Sequence, residues 1–409
     1  MKRDTVPGHR LRLLEGGDAL FPAMVAAMDR ARHLIHVETY ILELVGSTLQ
    51  VVEAMERAAR RGVTVRLVVD GVGTPALPAE WAMRLQGAGV QCRTYLPLGQ
   101  WGLLIPSRWR RLHRKLCVID GVLGFCGGIN LIDDREDVAL GRLEQPRLDF
   151  ALQVRGPLVT EMLETMEQLW WRLQAVRAAR QHEFRAAWEA LREGLPTLDD
   201  WDWAGHDRAA VPERPEGANA SAGLLLRDNV RHRHDIERAY LKAVGGARHE
   251  VVIANAYFIP GRRLRRALVM AVRRGVRVRL LIQGKYERFL QYHAPRPVHH
   301  HLLAAGVEIH EYAPSALHAK VAVVDSRWAT VGSTNLDPLS LLLAREANVV
   351  TTDATFAREL RNRLDELMCT RGVPLQLSQL RARPWHERVR DRLAFGVMRA
   401  VLFLTGHRY

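Results

Sequence analysis

The sequence has few cysteines, and they are scattered along it. The four are Cys92, Cys117, Cys126 and Cys369, and their spacing matches neither a disulfide framework nor a set of metal ligands. We therefore expect a reducing, cytoplasmic setting. Uninterrupted apolar runs of about 18 residues or more, the length needed to span a bilayer, are also lacking, and the N-terminus has no apolar signal-peptide core. If the protein meets a membrane, we expect it to do so peripherally.

Acidic residues are fewer than basic ones. The chain of 409 residues has 59 lysines and arginines against 45 aspartates and glutamates, which gives a formal net charge of +14. This excess favours polyanionic partners, either anionic membranes or nucleic acids, and composition alone does not choose between them. The length suggests two or three domains. With 48% apolar and 25% charged residues, the composition is that of a folded globular protein.

One short pattern occurs twice in the chain. It consists of a histidine, a lysine two positions later, an aspartate five positions after the lysine, and then small residues followed by an asparagine. The two copies comprise His113, Lys115, Asp120, Gly127, Gly128 and Asn130, and His318, Lys320, Asp325, Gly332, Ser333 and Asn335. All corresponding positions are separated by the same number of residues, which chance does not easily produce.

The pattern has a direct physical interpretation. The short apolar runs Leu116–Ile119 and Val321–Val324 predict buried strands. Side chains two apart on a strand face the same way, so each histidine would project beside its lysine. An imidazole offers proton transfer or a nucleophile, and a lysine suits an oxyanion. The aspartates would face elsewhere, and we expect an orienting or structural role for them. The asparagines would donate amide hydrogens to phosphate oxygens.

Other segments repeat in the same order. Residues 60–67 correspond to 273–280, and the region of Tyr40 corresponds to that of Tyr257. Helices and strands are predicted to alternate in each half, for example a helix over 48–60 and a strand over 63–69. This indicates an α/β fold of two similar lobes, each a mixed sheet flanked by helices, with one active site at their interface. We place the first lobe at 1–177, a linker at 178–220, the second lobe at 221–372 and a tail at 373–409.

Two segments suggest contact with a lipid surface. The basic tail carries apolar bulk such as Trp385 and Phe403 and resembles an interfacial amphipathic helix; the alternative is a helix that packs on the second lobe. The segment 101–111, with Trp101 and Leu104, is predicted to dip into the bilayer or to gate lipid entry. The histidine run 299–301 has no acidic or cysteine ligands nearby, so we expect no metal site.

The doubled pattern resembles that of the phospholipase D superfamily, over most of residues 11–371. Within it, the chain resembles the bacterial cardiolipin synthases of the shorter form without N-terminal transmembrane helices. The supporting stretches are 38–41, 111–115, 255–260 and the basic tail. Leu339 is a departure, since many relatives carry arginine there.

The resemblance implies a mechanism through a covalent phosphohistidine, without metal or cofactor. His113 would be the nucleophile and His318 the general acid/base, although the two roles could be exchanged. The residues expected to hold the phosphate oxygens are Lys115, Lys320, Asn130 and Asn335. The motif aspartates, Asp120 and Asp325, are grouped with the catalytic residues, with the structural role preferred. In the family the histidines are oriented crosswise, Glu346 toward His113 and Asp149 toward His318.

The implied reaction is the transfer of a phosphatidyl group from one phospholipid to phosphatidylglycerol, which forms cardiolipin. The donor would be phosphatidylglycerol or phosphatidylethanolamine. We expect a peripheral protein on the cytoplasmic side of the cell membrane, with a monomer as the active unit because one chain carries both motifs. The alternatives are a hydrolase that cleaves phospholipid or nucleic acid, and an inactive membrane-binding scaffold.

Overall fold

The computed structural model describes residues 5–97, 106–137, 141–193, 217, 219–228, 232–286, 289–337 and 344–404. The elements of the first half are β1 (Val6–Glu15), α1 (Gly16–Met28), β2 (Leu34–Thr39), α2 (Thr48–Arg60), β3 (Thr64–Asp70), α3 (Ala79–Gly87), β4 (Gln91–Tyr95), β5 (Arg111–Leu112), β6 (Lys115–Ile119), β7 (Leu123–Gly127), β8 (Glu136–Asp137), β9 (Gly141–Arg142), β10 (Phe150–Arg155), α4 (Leu158–Arg180) and α5 (Phe184–Glu193). A short 3₁₀ helix, Pro106–Trp109, precedes β5.

The second half repeats much of this order. Its elements are β11 (Ala220–Arg227), α6 (Asp235–Gly246), β12 (Glu250–Asn255), α7 (Arg262–Arg273), β13 (Arg277–Gln283), α8 (Phe289–His293), α9 (Arg296–Ala304), β14 (Glu308–Tyr312), β15 (Lys320–Val324), β16 (Trp328–Gly332), β17 (Ala344–Thr351), α10 (Ala354–Arg371), β18 (Gly372–Pro374), α11 (Leu377–Ala382) and α12 (Trp385–Leu404).

The described strands, apart from the β8–β9 hairpin, join in one mixed sheet of 16 strands. Its order is β18-β14-β13-β12-β15-β16-β17-β11-β1-β10-β7-β6-β2-β3-β4, with β5 paired beside β17. The order on one side of the β11–β1 contact mirrors the order on the other. Parallel pairs lie toward the outside of each half, and the inner pairs are antiparallel. The predicted fold of two similar lobes with mixed sheets is confirmed.

The apolar strands form the sheet because both of its faces are covered. A core shared by the two halves lies under α4 and α10, with Phe150 and Leu152 of the first half beside Val349 and Leu360 of the second. On the opposite face, α1 and α2 cover the outer strands of the first half, and α6, α7 and α9 cover those of the second. Each fully buried aliphatic or aromatic side chain of this kind contributes about 1.5–3 kcal/mol. The shared core joins the halves and thereby fixes the two motifs relative to each other.

The segments predicted as linker and tail contain regular structure. Helix α5 lies in the predicted linker and packs on α4, and residues 194–216 lie outside the described residues. The predicted tail begins with β18, which pairs with β14. Helix α12 packs on α8 and α9 and buries Ala394 and Met398. The division of the chain into four domains stays a prediction.

No helix in the described part of the chain has the length and apolar character needed to cross a membrane. Trp101 and Leu104, which carry the predicted lipid-entry segment, lie outside the described residues.

Candidate active site

His113 is held by the second half of the chain. It follows β5, which pairs with β17, and its backbone N–H donates to the carbonyl oxygen of Arg345 at 3.0 Å. Its Nδ1 lies 2.9 and 3.0 Å from the two carboxylate oxygens of Glu346 on β17. The hydroxyl of Ser333 also donates to Glu346. With Nδ1 bound to a carboxylate, Nε2 is the nitrogen that is available for chemistry.

His318 is held in the same way by the first half. Its backbone N–H donates to the carbonyl oxygen of Leu148 at 2.8 Å, and its Nδ1 lies 2.6 Å from Oδ2 of Asp149. Asp149 immediately precedes β10 and is almost completely buried. The crosswise arrangement expected from the family, Glu346 toward His113 and Asp149 toward His318, is therefore present. Each half supplies one histidine and the carboxylate that orients the histidine of the other half.

The two lysines lie beside the histidines on the predicted strands. Nζ of Lys115 donates to the carbonyl oxygen of His113 at 2.7 Å, and Nζ of Lys320 donates to that of His318. Lys320 is also 3.8 Å from Asp149. Burial lowers the pKa of Lys115 to about 7, against the raising effect of Glu346. These buried ammonium groups are costly without a full counter-charge, and a bound phosphate anion would provide one.

The titratable groups influence one another. Burial lowers the pKa of His113, while Glu346 acts in the opposite direction. Burial also lowers the pKa of His318 well below its usual value, and Lys320 and Lys115 lower it further. The pKa of Asp149 is raised to about 6 by burial, against the effect of Lys320. The lowered pKa values favour neutral imidazoles, which suits a nucleophile, and a phosphodiester anion bound beside them would raise the pKa of the general acid.

Asp120 and Asp325 are placed away from this group. Each lies at the far end of its strand, β6 or β15, from the lysine, and its carboxylate accepts backbone N–H groups from three successive residues. Those residues are 32–34 in the first half and 248–250 in the second. Both aspartates have a left-handed backbone, with φ of 52° and 51°, which aspartate tolerates better than most residues. These contacts fit the structural role that we preferred, and the grouping of the two aspartates with the catalytic residues stays a prediction.

The two asparagines are buried beside the motifs. Oδ1 of Asn130 accepts from the backbone of Ile41 at 3.2 Å, which orients its amide. Oδ1 of Asn335 is buried without a hydrogen-bond partner among the described residues. Tyr40 also lies at the site, because its ring centroid is 5.0 Å from that of His113. A role for the asparagines toward phosphate stays a prediction.

Two residues that support the site were missed from the sequence. Asp70, at the end of β3, accepts from the backbone N–H of Leu112 at 2.7 Å and from Arg111 at 3.2 Å. Gln283, at the end of β13, accepts from the backbone N–H of Leu317 at 3.3 Å. Each acceptor therefore holds the residue just before a motif histidine. Asp70 and Gln283 lie at equivalent positions, at the ends of corresponding strands, so an alignment of the two repeats could have identified both.

Two histidines beyond the motifs, His299 and His293, each have a partner of their own. His299 is buried, its Nε2 donates to the carbonyl oxygen of Phe258 at 3.3 Å, and burial lowers its pKa to about 3. His293 instead lies 2.6 Å from Asp391 of α12 and joins this helix to α8.

Comparisons with known proteins agree with this geometry. The family described as "Cardiolipin synthase, PLD-like domain" matches residues 24–140 and 240–368. The chain is 37% identical over 403 residues to cardiolipin synthase B of Salmonella typhi, covering 98% of this chain and 90% of that protein. It is 36% identical over 408 residues to cardiolipin synthase B of Escherichia coli strain K12, covering 99% and 92%.

The fold is also found in a solved structure. The crystal structure of phosphatidylserine synthase from Haemophilus influenzae Rd KW20 matches with a TM-score of 0.67 at 12% identity, over 94% of this chain and 91% of that one. At this identity the match concerns the fold alone. The family match and the full-length relatives carry the assignment: the chain belongs to the cardiolipin synthase family of phospholipase D-like proteins.

Proposed function

We propose that this protein is a cardiolipin synthase, which transfers a phosphatidyl group from one phospholipid to a hydroxyl of phosphatidylglycerol. The observation that carries the proposal is the pair of histidines, His113 and His318, each oriented by a carboxylate from the other half of the chain. Two imidazoles at one site suit a double displacement, in which one forms a covalent bond to phosphorus and the other moves the protons.

In the first step, Nε2 of His113 attacks the phosphorus of the donor lipid. A phosphorus–nitrogen bond forms, the bond from phosphorus to the headgroup oxygen breaks, and His318 gives its proton to that oxygen. With phosphatidylglycerol as donor, glycerol leaves. In the second step, neutral His318 takes the proton from a hydroxyl of the acceptor phosphatidylglycerol, whose oxygen attacks phosphorus. The phosphorus–nitrogen bond breaks, cardiolipin forms, and His113 is free again.

The cations and amides stabilise the charge that develops on phosphorus. Lys115 and Lys320 are already desolvated, so their attraction for the nonbridging oxygens is stronger than it would be in water. Asn130 and Asn335 add amide donors to the same oxygens. Glu346 and Asp149 fix each imidazole with Nε2 toward phosphorus and favour the protonated form that each histidine adopts in turn.

We propose that the protein meets the cytoplasmic side of the cell membrane through α12. This helix exposes Trp385, Val389, Leu393 and Val397, and Arg388, Arg390 and Arg392 lie among them. Exposed apolar side chains with interspersed arginines suit the surface of an anionic bilayer. The active unit is a monomer, because one chain supplies both histidines and both orienting carboxylates.

The experiment uses the purified full-length protein and vesicles of phosphatidylglycerol labelled in the headgroup. Cardiolipin and free glycerol in equal amounts are expected. Phosphatidic acid without cardiolipin would instead indicate a hydrolase, cleavage of DNA in a parallel reaction would indicate a nuclease, and no turnover would indicate a scaffold. Vesicles that also contain labelled phosphatidylethanolamine identify the donor.

His113→Ala and His318→Ala should each abolish turnover, whereas the exposed His301 offers a matched control, His301→Ala, which should retain it. Because the phosphorus–nitrogen bond to histidine is labile in acid, mass spectrometry of peptides quenched rapidly and kept at alkaline pH should locate the phosphatidyl adduct on His113. An adduct on His318 would exchange the two roles, and substantial activity in either alanine variant would overturn the mechanism.

A further inference from the structure

Three arginines line a groove at the centre of the sheet. Arg10 and Arg12 lie on β1, Arg155 lies on β10, and Gln153 completes the lining. The groove has a volume of about 240 Å³. A water molecule in the liquid occupies about 30 Å³, so the space admits a phosphate group together with several waters.

The strand register keeps these cations together. Arg10 is directly opposite Arg155, and Arg12 is directly opposite Gln153. Like charges directly opposite each other on antiparallel strands are destabilising. In the part of the chain that the structure describes, no acidic side chain forms an ion pair or hydrogen bond with any of the three arginines. Among the described residues, the groove therefore holds three positive charges without an acidic partner.

The duplicated fold does not require this charge. In the second half, the register of β11 and β17 places Ser221, Gly223, Val350 and Thr352 at the corresponding positions. The same sheet geometry is thus built there from uncharged residues. Since β1 needs apolar side chains only on the face toward the shared core, where Leu11 and Leu13 pack, the exposed arginines on its other face are not required to form the sheet.

The groove is separate from the active site. Asp149 precedes β10, whereas Gln153 and Arg155 lie farther along that strand. At a rise of about 3.3 Å per residue, they are roughly 13 and 20 Å from Asp149 along the strand. A ligand in the groove would therefore not occupy the place of the reacting phosphodiester.

We propose that the groove is a second anion site that binds a phosphate group. Guanidinium groups form paired hydrogen bonds with phosphate oxygens and remain charged at all relevant pH values. Oε1 of Gln153 is buried without a partner among the described residues, and a half-turn of the amide places the Nε2 donor there. An anion also relieves the repulsion between Arg10 and Arg155. The ligand is either the phosphate of an anionic phospholipid headgroup or a free phosphate ion, and the arginines would bind both through the same hydrogen bonds and charges.

The test compares the variant Arg10→Gln/Arg12→Gln/Arg155→Gln with the control Arg262→Gln/Arg263→Gln/Arg266→Gln. The control arginines are exposed on α7, and the two variants lose equal charge. Titration calorimetry with inorganic phosphate should give two sites in the wild-type protein, the groove and the active site, and two in the control. The groove variant should retain only one, because each lost charge-assisted hydrogen bond weakens binding about tenfold or more. This readout does not depend on catalysis, so failure of the proposed reaction would leave it intact.

A second measurement, thermal unfolding, shows whether the groove variant is folded. Without phosphate, the groove variant should melt at the same temperature as the wild-type protein or higher, since a repulsive pair has been removed. Added phosphate should raise the melting temperature of the groove variant less than that of the wild-type protein. Flotation on vesicles with and without phosphatidylglycerol distinguishes the sources. A selective loss of flotation in the groove variant assigns a lipid headgroup, and unchanged flotation with weaker phosphate binding assigns a free phosphate. Equal losses in both variants, or two phosphate sites in the groove variant, would overturn the proposal.

Discussion

The two halves of the chain have the same motifs but differ in the buried side chains that lie beside them. In the first half, Arg114 is buried between the motif histidine and lysine and forms an ion pair with Glu38 of β2. In the second half, the register of the strands places Ala319 and Ala254 at the corresponding positions. The next residue, Asn255, bonds the backbone of the following turn, donating to Thr334 at 3.3 Å and accepting from Leu336 at 3.1 Å.

The carboxylates differ in a similar way. Gly128 leaves room for Asp149, since a Cβ on this glycine would lie 2.3 Å from the nearer carboxylate oxygen. At the equivalent place in the second half, Ser333 donates its hydroxyl to the longer Glu346. The halves agree in the motif histidines and lysines, the crosswise carboxylates and the aspartates that cap backbone amides. The shared residues are those that the active site and the capped backbone turns require. The residues that differ stabilise their surroundings in two ways, and each way is sufficient in its own half.

The largest expected effect comes from neutralising the two carboxylates that orient the motif histidines. Glu346→Gln and Asp149→Asn each remove the charge that fixes an imidazole and supports its protonation, so kcat should fall by about 10²–10⁴-fold in both variants. Steady-state assays of cardiolipin formation measure this, with the exposed Glu359→Gln on α10 as control. A loss in only one of the two would show that the halves are not equivalent in orienting their histidines.

The motif strands could be predicted because they depend on short-range pattern and on the repeat, whereas the crosswise carboxylates were expected only from the resemblance to the family. The strand β1 was missed, although Arg10, Leu11, Arg12 and Leu13 alternate as an amphipathic strand does. The role of Asp70 could not be predicted from local pattern, because its partner Leu112 is distant in sequence and is bound through the backbone. Hydrogen bonds to backbone amides leave no requirement on the identity of the donor residue, so Leu112 itself carries no signal; only the equivalent position of Gln283 in the other repeat could have indicated Asp70.

The next effect tests the buried ion pair of the first half. Arg114→Ala leaves Glu38, which is 1% exposed, buried without its cation, and should lower the free energy of unfolding by about 3–5 kcal/mol. The double variant Glu38→Ala/Arg114→Ala adopts the residues of the second half, Ala254 and Ala319, and should be more stable than Arg114→Ala by at least about 1 kcal/mol. Urea unfolding measures both. If the losses of Glu38→Ala and Arg114→Ala simply added, the uncharged pair of the second half would not transfer to the first.

A third effect concerns Asp134, whose counterpart in the second half is Leu339. Burial raises the pKa of Asp134 to about 7, against the N–H of Gly17, which lowers it. An aspartate in the unfolded chain ionises near pH 4. Between about pH 4 and 7 the folded protein thus keeps a proton that the unfolded chain has lost, and this group makes the fold less stable as pH rises through that window.

Asp134→Asn removes this titration but keeps an acceptor for Gly17. The unfolding free energy of the variant, relative to the wild-type protein, should therefore increase from pH 4 to pH 7 by on the order of a few kcal/mol. Unfolding in urea at a series of pH values measures the difference. A difference that stays constant with pH would show that the carboxylate is ionised in the folded protein throughout.

The smallest expected effect compares the two acceptors that precede the histidines. Asp70→Asn turns one acceptor into a donor that faces the N–H of Leu112, so His113 should be held less well and kcat should fall about tenfold, with KM unchanged. Gln283→Ala removes a longer bond, 3.3 Å instead of 2.7 Å, and should cost less than Asp70→Asn. A fall in melting temperature with an unchanged kcat would make Asp70 a purely structural residue. Equal kcat losses in the two variants would instead mean that the neutral amide of the second half holds its histidine as firmly as the carboxylate of the first.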